Sequence, residues 1–427
     1  MSRRAIPRLA LSVLLTVSLG AGFRLAPPAG AKAASNRGSG SLYLLEPASH
    51  RVLRPLDPST LADMPDSPGI TLGARSPLDL HAWLLVSPRG SRLARVSYLG
   101  SNAVPGMAAK YIAVEVFDLP VGRRQARFHP QVAILADGLS PDGSLLYGPG
   151  LSDGHRTVWY ALDTSHGRVR FRVLLHNRYT RPLSYDAARQ RLFAVEVRPF
   201  DSQTHQPRPL VLREYDVASG RQIAALTLPG ILAGTGDTGR QVNGHEVYAE
   251  WSPGFALTPD GSEVAVLDGN TDTLWLIDAR RLTVIRTEEV TRAASPLQRL
   301  GEWLGLVPAV ALAKGGEGAV LSLHMSPDGR TLYATGRRGE ITADGTVAMH
   351  FLPLQAIDVA HGTILAETPA ADGWLGLSPD GSALYTLTGE ANPDHWVLRR
   401  ENPATLQPVA TRTFEGYPQL LLLGFGA

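Results

Sequence analysis

Apolar residues fall in short runs along most of the chain, and turn-forming residues separate the runs. Within a run every second position tends to be apolar, which is the period of a half-buried strand. Leu332-Tyr333-Ala334, Leu384-Tyr385-Thr386 and Arg191-Leu192-Phe193-Ala194 are examples. One phrase recurs ahead of such runs: Ser140-Pro141-Asp142-Gly143, Thr258-Pro259-Asp260-Gly261, Ser326-Pro327-Asp328-Gly329 and Ser378-Pro379-Asp380-Gly381. Proline presets the turn and glycine closes it, so each copy predicts a tight hairpin between two strands. Ser87-Pro88-Arg89-Gly90 and Ser184-Tyr185-Asp186 are degenerate copies, making six.

A second hairpin follows, marked by a strand that ends near an acidic residue. The markers are Glu46, Asp118, Asp163, Asp216, Asp278, Asp358 and Glu401, spaced 43 to 80 residues apart. Two hairpins per repeat at this spacing predict an all-β fold, a seven-bladed β-propeller of four-stranded antiparallel blades with insertions. The first copy, 41–56, lacks an upstream hairpin, and an orphan apolar run occupies 419–425. The two are expected to share one blade, so that N- and C-terminal strands close the ring and remove its open edges.

Residues 264–278, Val-Ala-Val-Leu-Asp-Gly-Asn-Thr-Asp-Thr-Leu-Trp-Leu-Ile-Asp, follow Thr258-Pro259-Asp260-Gly261. Together they resemble the YVTN-type, WD-repeat-like β-propeller repeat of exported bacterial and archaeal proteins. The resemblance covers most of 41–427, with about four blades matching well and long insertions departing from the pattern. It implies the fold but no single activity, since similar blades serve surface-layer proteins, lactonases, scaffold subunits of redox enzymes and binding modules.

With strands lettered a to d from the axis outward, the Ser-Pro-Asp-Gly turn joins a to b and the acidic turn joins c to d. Extra length falls after strand d, at about 57–80, 227–254 and 290–318, and between b and c, at 97–110, 197–210 and 337–350. Alternate connections lie on one rim, so the insertions are expected to decorate one face, where repeat proteins usually bind.

The first 33 residues read as an export signal: basic Arg3, Arg4 and Arg8, an apolar run to Gly22, then small Ala29, Ala31 and Ala33. Residues 34–427 are read as a single domain. Removing the signal takes Arg3, Arg4, Arg8, Arg24 and Lys32 from 41 basic residues and none from 39 acidic ones, leaving 36 against 39. A near-neutral surface without a basic run argues against nucleic acid and anionic lipid as partners. No stable membrane span is expected after signal removal. With no cysteine, the chain has no disulfide, thiolate metal site or cysteine nucleophile. A composition of 44% hydrophobic and 19% charged residues supplies a core.

Candidate chemistry concentrates in 230–254, where Asp237, Arg240, Asn243, His245, Glu246 and Glu250 lie beside Tyr248 and Trp251. His245-Glu246 is not a zincin pair, because position 249 is alanine. Gly234-Thr235-Gly236-Asp237-Thr238-Gly239 satisfies the dinucleotide fingerprint in form only. The Asn243-Gly244 turn stands where a helix should begin, and the stretch reads as a flexible loop. Asp268, Asn270 and Asp272 alternate like calcium ligands but lack the glycine and distal glutamate of an EF-hand, so a polar b–c turn is expected. His324 falls in an inner strand, facing either the axis or a neighbouring blade. Residues 295–313, with Ser295, Pro296, Leu297, Leu300, Trp303, Leu304 and Val307, read as a short amphipathic helix.

No motif here assigns catalytic residues, a metal or a cofactor, and none is expected. The leading expectation is an exported, non-enzymatic binding or scaffold protein that meets a protein or cell-envelope polymer. Its decorated face would use Asp237, Arg240, His245, Glu246, Glu250, Trp251, Trp303, His324 and Arg337. A lactonase-like hydrolase or lyase at the channel mouth and a scaffold subunit of a periplasmic redox enzyme are the alternatives.

Overall fold

The computed structural model describes residues 42–45, 52–64, 69–72, 79–87, 90–99, 112–119, 122–150, 156–201, 203–242, 245–269, 271–292, 319–341, 347–370, 375–378, 380–389, 395–415 and 419–422. Every named element among them is a strand, and the strands form seven antiparallel sheets, the blades of a β-propeller.

Blade 1 draws on both ends of the chain. Its strand a is Gln419–Leu422, and Leu42–Leu45, Val52–Leu56 and Ile70–Thr71 are b, c and d. Leu42 sits opposite Leu422 and Leu45 opposite Gln419, the shared-blade closure expected from the orphan runs. Blade 2 is Asp79–Val86, Arg92–Leu99, Ile112–Asp118 and Arg123–Phe128, and blade 3 is Gly138–Leu139, Leu145–Gly150, Val158–Asp163 and Val169–Leu174. Blade 4 is Thr180–Asp186, Arg191–Glu196, Arg208–Asp216 and Arg221–Val242, with His245–Trp251 added. Blade 5 is Gly254–Leu257, Glu263–Asp268, Thr273–Asp278 and Thr283–Glu289. Blade 6 is Ala319–Met325, Thr331–Ile341, Val347–Asp358 and Thr363–Ala370, with Thr291–Arg292 parallel to its outer strand. Blade 7 is Leu375–Leu377, Leu384–Gly389, His395–Glu401 and Pro408–Glu415.

The acidic markers shift in two blades. Asp57, not Glu46, closes the c–d turn of blade 1 by accepting the Leu61 amide at 2.7 Å, and Asn402, next to Glu401, does so for Leu406 at 2.7 Å. The same closure joins Gly122 to Asp118, Gly167 to Asp163, Leu282 to Asp278 and Gly362 to Asp358. The last residue of the turn is left-handed, and in blades 1, 5 and 7 it is leucine, with φ of 62°, 48° and 54°. Glycine normally signals that conformation. Leu61, Leu282 and Leu406 adopt it while buried in the core, so the turn carries no glycine to reveal it. Residues 41–56 therefore hold strands b and c, and 57–80 begins with a c–d turn and contains strand d.

The core is divided among the seven interfaces between neighbouring blades. Leu93 and Phe117 of blade 2 pack on Leu53 and Ile70 of blade 1. Leu212 and Leu228 of blade 4 meet Val264 and Ile277 of blade 5. Leu398 and Phe414 of blade 7 meet Leu42 and Leu56 of blade 1, which completes the ring. Strand a touches strand a between blades 1 and 2, 2 and 3, 5 and 6, and 6 and 7, while the d strands alternate toward solvent.

Candidate functional site

Because successive strands are antiparallel, the a–b and c–d turns share one face, and the b–c and d–a connections share the other. The first face is trimmed. Ser140, Thr258, Ser326 and Ser378 each donate a hydroxyl to the aspartate two residues on, at 2.6, 2.8, 2.6 and 2.7 Å. Serine, turn proline and left-handed glycine repeat this unit with little variation.

Among the described residues the other face carries two hairpins. In blade 6, strands b and c run on until Ile341 pairs with Val347. In blade 4, strand d pairs with strand c up to Ala233 and then continues as one arm of a hairpin against His245–Trp251. The stretch 234–239 is thus a strand rather than a loop. Its glycines answer to close approach: a Cβ on Gly234 would lie 2.6 Å from the Arg198 carbonyl oxygen, and one on Gly236 would lie 2.9 Å from the Phe200 side chain. The hairpin passes directly over the b–c connection of its own blade. Long-range pairing with Val247-Tyr248-Ala249-Glu250-Trp251 overrides the local glycine signal.

Along this hairpin the candidates are spread from tip to base. His245 lies opposite Val242 and Glu246 opposite Gln241 at the tip; Arg240 falls in the register shift before Gln241, and Asp237 lies opposite Tyr248. Glu250 opposes Thr235 and Trp251 opposes Gly234 at the base. The base is pinned beside the axis, since the Leu321 amide of blade 6 donates to the Ser252 carbonyl at 3.1 Å. Burial pushes the Glu250 carboxyl up from its ordinary pKa, while Arg181 of blade 4 and Arg337 of blade 6 oppose that shift. One carboxylate and two guanidinium groups from three elements therefore influence one another electrostatically near the base of the hairpin. His324, opposite Tyr333, is four places along strand a from Val320, the partner of Arg337, roughly 13 Å away. His245 is five places from Glu250, roughly 16 Å. By register, His245 and His324 stand several positions along their strands from Glu250 and from the partner of Arg337. Trp303 and the helix expected over 295–313 lie outside the described residues.

Behind the same face, blade 4 carries a buried ionic knot. Glu196 accepts from Arg213 Nε at 2.9 Å and Asn177 Nδ2 at 2.8 Å, and it pairs with Arg198. Burial alone would raise the Glu196 pKa, but the bonds from Arg213, Arg198 and Asn177 hold it low. In blade 5, Asp268 accepts from the Thr271 hydroxyl at 2.9 Å, and Asp272 is left-handed, so these residues shape a b–c turn; Asn270 lies outside the described residues. No group of three or more histidines and carboxylates suited to a metal occurs among the described residues.

A site that the motifs did not reveal lies between blades 3 and 4. A small cavity of about 20 Å³, room for one water molecule, is lined by Asp137, Tyr147 and Trp159 of blade 3 and by Pro182, Leu183, Ser184, Tyr185 and Leu192 of blade 4. Gly138 makes room for it, because the Tyr147 ring lies where a Cβ would stand, 2.5 Å away. Asp137 Oδ1 is buried without a hydrogen-bond partner. Burial pushes the Asp137 pKa up to about 8, and the Asp137 carboxyl and Tyr185 add to the burial that raises Tyr147. A signal was present in the repeat: three residues before the turn serine or threonine, blades 2, 5, 6 and 7 carry Leu84, Phe255, Leu323 and Leu375, blade 4 carries Arg181 and blade 3 carries aspartate.

No protein family and no curated protein is matched by this chain. Solved structures are. A candidate 6-phosphogluconolactonase of Bacteroides uniformis aligns with a TM-score of 0.50 at 12% identity, over 90% of this chain and 100% of that one. The periplasmic gluconolactonase PpgL of Pseudomonas aeruginosa gives 0.46 at 14% identity, over 90% and 99%. The WD40 domain of Toxoplasma gondii coronin gives 0.43 at 11%, over 79% and 75%. The likeness is one of β-propeller fold.

Proposed function

We propose that this chain is an exported β-propeller of the YVTN-type repeat class that binds a protein or cell-envelope polymer through its hairpin-bearing face. One observation carries the reading: among the described residues both long hairpins rise from the face of the b–c and d–a connections, and the turns on the opposite face are short and self-bonded. Paired strands are a stiffer platform for recognition than loops of the same length. Glu250, Arg181 and Arg337 at the hairpin base supply charge of both signs, and Trp251 supplies an aromatic anchor. Residues 1–33, read as an export signal, support a location for this face outside the cytoplasm.

A hydrolytic reading would gather His245 or His324 with Glu250 and Arg337 around one substrate. The strand registers separate them, which favours binding.

The test is affinity capture from envelope fractions with three proteins: the intact chain, a variant with residues 235–250 replaced by a short Gly-Ser turn, and Asp380→Ala on the opposite face. A partner held by the intact chain and by Asp380→Ala, but lost from the trimmed variant, is the expected result. A partner held equally by all three, or lost only with Asp380→Ala, overturns the proposal.

A further inference from the structure

We propose that the outer rim of blades 2 and 3 is a docking band for a linear polyanion, a polymer with phosphate or carboxylate groups recurring along its chain. The band lies on the circumference, apart from the hairpin-bearing face, and does not depend on the function proposed for that face.

The exposed residues of the blade 2 outer strand, Arg123–Phe128, are Arg123, Arg124, Gln125 and Arg127. Those of the blade 3 outer strand, Val169–Leu174, are Arg170, Arg172 and Leu174. Arginine dominates both sets, and neither contains an acid. The outer strands of blades 5, 6 and 7 differ, since together they hold Arg286 and Arg412 against Glu288, Glu289, Glu367 and Glu415. Those two arginines are also engaged, Arg286 with the Ala360 and Val359 carbonyls and Arg412 with Leu61 and Asp63.

The two basic strands follow one another around the rim. The Gln131 amide, just past the blade 2 strand, donates to the Gly167 carbonyl at 3.3 Å, and the Val169 amide that opens the blade 3 strand donates to Gln131 Oε1 at 3.4 Å. The end of one strand therefore adjoins the start of the next, in a band up to roughly 40 Å long. The sequence has no basic run because its halves are distant along the chain; the ring joins them.

Local acids do not neutralise the band. Glu115 is shared by Arg124, at 3.0 Å, and the buried Arg95, while Asp118 is shared by Arg92 at 2.7 Å and Arg123 at 3.4 Å. Each carboxylate thus serves two guanidinium groups. Among the described residues no carboxylate pairs with Arg127, Arg170 or Arg172. Positive charge continues past the end of the blade 3 strand, where burial and then Arg213, with Arg198 and Arg156, push the His176 imidazole below its usual range against the pull of Glu196.

Guanidinium groups strung along an outer edge match anionic groups that recur, each able to take a bidentate contact. A folded protein partner would need an apolar centre, and Leu174 is the one apolar residue exposed on the two strands. Phe128 and Phe171 are half-buried, which leaves no platform on which nucleic-acid bases could stack.

Calorimetric titration of the purified full-length chain with long-chain polyphosphate, at low and at high salt, tests this. The parent is compared with the rim variant Arg127→Gln, Arg170→Gln and Arg172→Gln, and with Arg280→Gln, Arg281→Gln and Arg330→Gln, which removes the same charge from turns of blades 5 and 6. All six side chains belong to exposed residues, so equal thermal midpoints are expected. The rim variant should lose at least about tenfold in affinity and roughly two in the slope of log affinity against log salt, while the turn variant stays within about twofold of the parent. Tripolyphosphate, too short to span the band, should bind at least about tenfold more weakly than the polymer. Four results overturn the proposal: no binding of polyphosphate at low salt by the folded parent, equal losses in the two variants, tripolyphosphate that binds as tightly as the polymer, or phosphatidylglycerol vesicles bound through the same arginines in preference to polyphosphate.

Discussion

Asp137 and Glu196 are both carboxylates in the blade interior, and their surroundings drive them in opposite directions. Glu196 is held low by Arg213, Arg198 and Asn177 against the cost of burial. Its stabilisation is complete above the ordinary glutamate pKa and is lost as pH falls through the lowered folded value. Asp137 is raised from 3.8 to about 8 by burial, so the folded state binds a proton there that the unfolded chain does not. Stability then falls as pH rises across that window. Asp137→Leu, which restores the residue type of Leu84 and Leu323, should be more stable than the parent by an amount that grows by roughly 1.4 kcal/mol per pH unit between about 4 and 8. Urea unfolding at pH 5 and pH 8 measures it; an equal difference at the two pH values would show that Asp137 does not titrate in the folded chain. Neither carboxylate was legible from a motif. Glu196 needs Arg213, a cross-strand partner, and Asp137 is conspicuous only against its counterparts in other blades.

At the level of elements, turns were easier to read than connections. A Ser-Pro-Asp-Gly turn contains all its determinants within a few residues: the Thr258 hydroxyl and the Ser262 amide both bond to Asp260. The Asp57, Asp278 and Asn402 turns all put a buried leucine in the left-handed position, so no glycine marks them, and only the second was placed from its aspartate. Residues 234–239 read as a loop because nothing local shows that 245–251 will pair with them, or that Arg198 and Phe200 lie close enough to demand glycine. Gly236→Val should therefore disrupt the hairpin and leave the blade intact. Hydrogen exchange is expected to show lost protection over 234–251, with protection retained in Leu210–Tyr215; uniform loss across blade 4 would mean that the hairpin and blade open together.

For the whole molecule, the repeat and its closure were legible because each interface is a copy of the same arrangement. Some fastenings were not, being single contacts between blades. Arg412 on the outer strand of blade 7 donates to the Leu61 carbonyl of blade 1 at 2.9 Å and pairs with Asp63 at 3.2 Å; Arg286 of blade 5 reaches the Ala360 and Val359 carbonyls of blade 6 at 2.8 Å each. Arg412→Ala should lower stability by about 1 to 2 kcal/mol, and Arg412→Lys should recover only part of this, because lysine lacks the planar fork. Thermal unfolding of the two variants checks the order. If lysine restored full stability, charge alone would hold that junction.

The shared blade also sets a timetable. Leu42–Leu45 belongs to the earliest strand of the ring and Gln419–Leu422 to the latest, so their ladder forms only when nearly the whole chain is present. Contacts so distant in sequence make assembly slow. Until then the ring is a horseshoe with two unpaired edges, each able to capture a strand from another molecule. Folding rate and aggregation are thus coupled through the four residues Gln419–Leu422.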